Sequence, residues 1–249
     1  MFDEVEAYVS KLSDRIKELG NRGVRPMGFA TAATTQAPAI LLVASISSQK
    51  EAAKAESDGA EAVLSVDKPG KSDSKRTLFG QTLATAGKAD LEALAKDGVA
   101  FVVLTDTKTS ATALTVEDID VVLTVDTNWT DMLTRSVAQL PIAAVVYQPP
   151  STGPMTIDDH LQCARVMGLV GKPVFVVVPS GWGTESLLAL QEAGVTGVIV
   201  SAGDVATYRD AIKALPTKKR DRDRNDSATL PMQGHRREAE PDDDDDDED

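Results

Sequence analysis

Residues 173–204 read PVFVVVPSGWGTESLLALQEAGVTGVIVSAGD, and this stretch decides the fold class. An apolar run, Val174–Val178, is followed by a glycine-bearing turn and then by an amphipathic segment opened by Thr184 and Glu185. A second apolar run, Gly197–Ser201, follows, with a small-residue turn after it. Neither run alternates with polar residues, which is the pattern of strands covered on both faces in a parallel sheet. The segment between them, Thr184–Ala193, has helical spacing and ends at Gly194, where a left-handed cap is needed. The unit is therefore strand, helix, strand.

Working outward, the same grammar recurs. Gly59 in SDGAEAV and Gly98 in AKDGVAF stand, like Gly194 in QEAGVTGV, between a helical stretch and a buried run. Eight apolar runs are candidate strands: Met27–Ala30, Ala39–Ser45, Ala62–Val66, Ala100–Leu104, Asp120–Val125, Ile142–Tyr147, Val174–Val178 and Gly197–Ser201. Helical spacing appears at Gln49–Ser57, Lys88–Lys96, Trp129–Leu140, Ile157–Leu169, Thr184–Ala193 and Val205–Leu215. A further N-terminal helix is read at Asp3–Leu19, stopped by Gly20.

This count predicts an α/β fold, a (β/α)8 TIM barrel over residues 1–216, with a doubly wound parallel sheet as the alternative. Two crossovers are expected to be reduced, because Ala30 to Ala39 and Thr105 to Ile119 leave little room for a helix.

The chain has 249 residues, a net charge of −13 and one cysteine, Cys163. A disulfide framework and a cysteine-based zinc site are excluded. No apolar run approaches the length of a membrane span, and the acidic, polar N-terminus is not a secretory signal, so a cytoplasmic protein is expected. The acidic balance argues against broad nucleic-acid binding.

Residues 217–249 hold seven Lys/Arg and thirteen Asp/Glu, a net of −6, leaving −7 to residues 1–216. With almost no apolar residues and an end in DDDDDDED, they read as a disordered charged tail. Such blocks serve as interaction or solubility tails, so a protein partner is expected there, a solvated linker being the plainer reading.

In parallel α/β folds chemistry gathers at the carboxyl ends of strands. Those ends supply Asp67 and Lys68, then Asp106 and Lys108, then Asp126, as candidate catalytic residues. Carboxylates suit general acid–base work or magnesium; a desolvated lysine suits acid, base or nucleophilic work. The alternative is that these aspartates cap helices and turns. Residues Asp67 to Gly87 read as a long loop rich in Lys68, Lys71, Lys75 and Arg76, suited to attracting an anion. With only His160 and His235, a Ser-His-Asp triad or a histidine metal site is not expected.

The stretch quoted first, extended to residue 215, resembles the phosphate-binding TIM-barrel superfamily. That group includes the tryptophan-synthase α-subunit, indole-glycerol-phosphate synthase, thiamine-phosphate synthase and several FMN-dependent barrels. The resemblance implies a phosphate held by Ser180, Gly181 and Gly183 in the first turn and by Ser201, Ala202 and Gly203 in the second. It implies a small phosphorylated ligand and a lyase, isomerase or synthase, with magnesium or FMN as candidate cofactors. The families' catalytic signatures do not carry over. A non-catalytic scaffold or interaction barrel and an FMN-binding barrel therefore stand as alternatives.

Overall fold

The structure, a computed structural model, describes residues 11–21, 40–66 and 77–216. Eight parallel strands close into a barrel in chain order. They are β1 (Leu41–Ile46), β2 (Ala62–Ser65), β3 (Leu78–Leu83), β4 (Phe101–Leu104), β5 (Asp120–Val125), β6 (Ala144–Tyr147), β7 (Val174–Val177) and β8 (Gly197–Ser201). The ring shuts by pairing β8 with β1, from Leu41 against Gly197 to Ser45 against Ser201. A doubly wound sheet keeps two open edges, so this closure removes that alternative.

The helices are α1 (Leu12–Asn21), α2 (Gln49–Asp58), α3 (Lys88–Lys96), α4 (Asp131–Ser136), α5 (Ile157–Val170), α6 (Ser186–Ala193) and α7 (Val205–Ala214). Gly59, Gly98 and Gly194 all adopt positive φ (97°, 87° and 94°), as the repeated junctions require. The β4–β5 crossover is reduced to a 3-10 turn, Ala111–Thr115.

Two strand expectations are corrected. Met27–Ala30 lies outside the described residues, and β8 pairs directly with β1, so the closed ring has no place for it. The eighth strand is instead β3, inside the stretch read as a loop from Asp67 to Gly87. Its sequence, LFGQTL, lacks a continuous apolar run for physical reasons. Gly80 faces the lumen beside Phe101, and a β-carbon there would lie 2.3 Å from the Phe101 ring. Gln81 points the other way, in register with Ser65. Residues 67–76, which join β2 to β3, lie outside the described residues, as does the Ala30 to Ala39 connection expected to be reduced.

Strand alternation sorts the core into two bodies. Ile40, Leu42, Val63, Val102, Val121, Val145, Val176 and Val198 point outward beneath the helices. Leu41, Val43, Leu64, Leu78, Phe101, Val103, Val122, Val146, Phe175 and Ile199 fill the lumen. The lumen is thus packed with side chains rather than open as a pore.

Helix α1 plugs the amino-terminal end of that lumen. Leu12, 2% exposed, joins the lumen cluster. The Ser13 N–H donates to Asp120 Oδ2 at 2.7 Å, and Lys11 Nζ donates to the Glu117 carbonyl. The expected helix from Asp3 is described only from Leu12 on. Residues 217–249, expected to form the charged tail, lie outside the described residues. No described helix is long and apolar enough to cross a membrane.

Candidate functional site

With one end plugged, the lumen opens at the carboxyl ends of the strands. Following alternation upward, the topmost inward positions are Ser45 on β1, Thr82 on β3, Thr124 on β5 and Ser201 on β8. Ser45 and Ser201 are neighbours in register and both are exposed.

An open cleft of about 510 Å3 starts from this serine pair, at the ends of β1, β7 and β8. Val177 and Ile199 form its floor, and Ser47, Glu51 and Lys54 come from the β1–α2 turn and α2. Ser201, Ala202 and Gly203 form the other wall, leading into α7. The Ala202 N–H is tied to the Ser45 carbonyl at 3.1 Å, so the two walls are joined through backbone. Asp204, at the start of α7, makes no side-chain cap, so its carboxylate does not occupy the first-turn amides. The Glu51 carboxylate is engaged by the Ser47 N–H at 2.7 Å. Lys54 forms no ion pair among the described residues, so it supplies the cleft's positive charge.

The residues expected from sequence fall in three places. Ser201 and Gly203 line the cleft. Ser180, Gly181 and Gly183 sit in the β7–α6 loop, outside the cleft lining, and Gly181 packs against the loop after β6. A β-carbon on Gly181 would lie 2.1 Å from the Thr152 carbonyl oxygen. Gly183 has φ +66°. Trp182 between them is 1% exposed and donates its indole N–H to Ser151 Oγ at 3.2 Å.

Asp106 and Asp126 end the adjacent strands β4 and β5, across the ring from the cleft. Each closes its own turn. Asp106 Oδ1 accepts the Lys108 N–H at 2.9 Å, and Asp126 Oδ1 accepts the Asn128 N–H at 2.9 Å and its side-chain amide at 3.0 Å. Lys108 is exposed. Asp67 and Lys68, with Lys71, Lys75 and Arg76, lie outside the described residues. Among the described residues, no group of three or more His, Cys, Asp or Glu is placed to hold a metal ion.

Ser45, Ser47 and Lys54 were missed by sequence reasoning. Their signal was a polar residue closing an apolar run, Ser45 after Ala39–Ala44; only ring closure brings it beside β8.

Below the mouth, between β6 and α5, lies a buried polar group. Burial pushes Asp159 up, but hydrogen bonds from the Thr156 N–H and from the Ser151 and Thr156 hydroxyls outweigh it and hold the carboxyl below its usual range. Burial, then the charge of Asp159, raises the Cys163 thiol to about 12, which leaves it inert as a nucleophile. Burial likewise lifts Tyr147 to about 12, and its hydroxyl has no hydrogen-bond partner among the described residues.

No protein-family model matches the sequence, and no curated protein matches it. Solved structures do match. KGPDC from Streptococcus mutans superposes with a TM-score of 0.55 at 13% identity, covering 70% of this chain and 97% of that one. Phosphoribosyl anthranilate isomerase from Thermus thermophilus gives 0.51 at 13%, covering 70% and 98%. Thiamine phosphate pyrophosphorylase from Pyrococcus furiosus gives 0.52 at 11%, covering 70% and 95%. At such low identity the likeness is one of fold: this chain is a (β/α)8 barrel with the architecture of these enzymes.

Proposed function

We propose that the chain takes a small phosphorylated metabolite at the cleft between β1, β7 and β8 and acts on it as a lyase, isomerase or synthase. The observation that carries this reading is the composition of the cleft. Two hydroxyls (Ser45 and Ser201), the backbone of Gly203 leading to the start of α7, and the ammonium of Lys54 converge on one open volume. Hydroxyls, helix-start amides and a lysine are the donors a phosphate dianion needs. Two of the similar structures carry phosphorylated compounds in their names. Asp106 and Asp126, across the mouth, would serve the reacting end of the ligand as acid or base, with Lys108 as an electrostatic partner. Asp67, Lys68, Ser180, Gly181 and Gly183 remain candidates for the same ligand. FMN would place its phosphate in the same cleft, and a yellow purified protein would mark it.

The test is thermal unfolding of the full chain with inorganic phosphate and with a sugar phosphate. A ligand at one hundred times its dissociation constant stabilises by about 2.7 kcal/mol. Gly203→Val adds bulk where a β-carbon meets nothing within 4 Å, so it fills the cleft without disturbing the fold. The reading requires a phosphate-dependent shift that Gly203→Val and Lys54→Ala each reduce. No shift with either compound overturns it.

A second reading, a barrel that binds without catalysis, is favoured by one observation. The inward positions at the mouth are hydroxyl residues, and the strand-end aspartates Asp106 and Asp126 are engaged in closing turns. Phosphate binding that survives in Asp106→Ala and Asp126→Ala, with no loss of cellular function, would select it.

A further inference from the structure

Helix α5, 14 residues long, has two unlike faces. Asp159, Cys163, Val166 and Val170 are buried against the barrel. On the opposite side, at helical spacing, stand Ile157, Leu161, Ala164 and Gly168. Ile157 is 81% exposed and Leu161 59%. Ala164 and Gly168 are exposed as well, and a β-carbon on Gly168 would meet nothing within 4 Å. The central stripe of this face carries no charge, with exposed Asp158 and part-buried Arg165 on one flank, in a chain whose net charge is −13. A glycine inside a helix weakens it and here gains no contact within the single copy. Met132 on α4 is likewise 81% exposed, and its neighbour Asp131 is held by Arg165 of α5 at 2.6 Å.

We propose that this face pairs with the same face of a second copy of the chain, antiparallel across a two-fold axis. Ile157 and Leu161 of each copy then pack over Gly168 and Ala164 of the other. The reason to assign a second copy rather than another partner is that the face is complementary to itself. Its first half is bulky and its second half is hollow, so a two-fold rotation sets each bulky half on the other's hollow half. The charges agree with this pairing. Asp158 and Arg165 share one flank of α5, and the rotation brings Arg165 of each copy, whose guanidinium also holds Asp131 and the Trp129 carbonyl of its own copy, to within about half a turn of Asp158 of the other. Identical acidic copies repel over most of their surface, and an uncharged stripe lets them meet without burying like charge.

The experiment is sedimentation velocity of the full chain across a concentration series, with circular dichroism as the check on folding. The wild type is expected at twice 26.4 kDa. Leu161→Lys buries a charge in the contact, and Gly168→Leu fills the hollow from a position where a β-carbon meets nothing within 4 Å in its own copy. Each is expected to sediment at 26.4 kDa with an unchanged spectrum. A wild type that stays at 26.4 kDa at the highest concentration, or a dimer that survives either substitution, overturns the proposal. The phosphate cleft is at the mouth and is not engaged by this contact, so either proposal can fail alone.

Discussion

Gly197 lies against the ring of Phe175: a β-carbon on Gly197 would sit 2.3 Å from Phe175 Cε1 and 3.0 Å from the Leu41 carbonyl oxygen. The pair is in register on neighbouring strands, and Gly80 with Phe101 repeats the arrangement on β3 and β4. Each phenylalanine fills lumen space that its neighbour vacates. Gly197→Ala should therefore cost about 1–3 kcal/mol through overpacking. In a domain of this size that lowers Tm by roughly 2–4 °C per kcal/mol. Phe175→Leu should recover part of the loss in the double variant, read as a coupling energy from urea unfolding. A Gly197→Ala chain as stable as wild type would contradict the packing.

The Trp182–Ser151 hydrogen bond joins the loops after β7 and β6, and the Ser151 hydroxyl serves Asp159 in turn. Ser151→Ala strands the indole N–H of a buried tryptophan. The expected cost is about 1–3 kcal/mol. In Trp182→Phe, which has no such N–H, the same Ser151→Ala change should cost less, by a double-mutant cycle in urea.

Acid stability follows from Asp159. Its folded pKa is lowered, so its contribution is present above the unfolded value of about 3.9 and is lost as pH falls through the folded value. Wild type should exceed Asp159→Asn in stability at neutral pH, and the gap should narrow as pH falls below about 4. A gap independent of pH would show that the carboxylate's charge contributes nothing.

Alkaline behaviour follows from Cys163 and Tyr147, both raised to about 12. Their contribution is full below the unfolded values of about 8.5 and 10, and declines as pH rises from there toward the folded ones. The sole thiol should not react with a disulfide reagent at pH 8 in the native chain, yet react fully in denaturant. Rapid native reaction would place Cys163 outside the core.

If the enzymatic reading holds, Asp126→Ala and Asp106→Ala should abolish turnover while leaving phosphate affinity within about twofold, because both lie across the ring from the cleft. Each loses its turn-closing bond, at about 1 kcal/mol. Weakened phosphate binding in these variants would place the phosphate elsewhere.

Much of the barrel was readable because its signals are local. A glycine forced to positive φ and a run of valines identify a junction and a strand whatever lies elsewhere, hence α2, α3, α5 and α6 were anticipated within about two residues at each end. β3 was hidden because its residues answer to other strands. Gly80 is small on account of Phe101, and Gln81 matches Ser65, and neither reason is visible in the segment itself. The cleft was half readable on the same grounds. Ser201 and Gly203 follow a recognisable strand, whereas Ser45 and Lys54 belong to the far end of the chain and reach the site only by ring closure.

The plug at the barrel's amino-terminal end sets an order of events during synthesis. Leu12 leaves the ribosome before any strand that buries it, and its neighbour Ser13 waits for Asp120, 107 residues later. The earliest-made helix described thus docks only after β5 has been made. Until β5 has emerged, a nascent chain carries that helix without the partner that holds Ser13, so its apolar Leu12 has no complete lumen to fill.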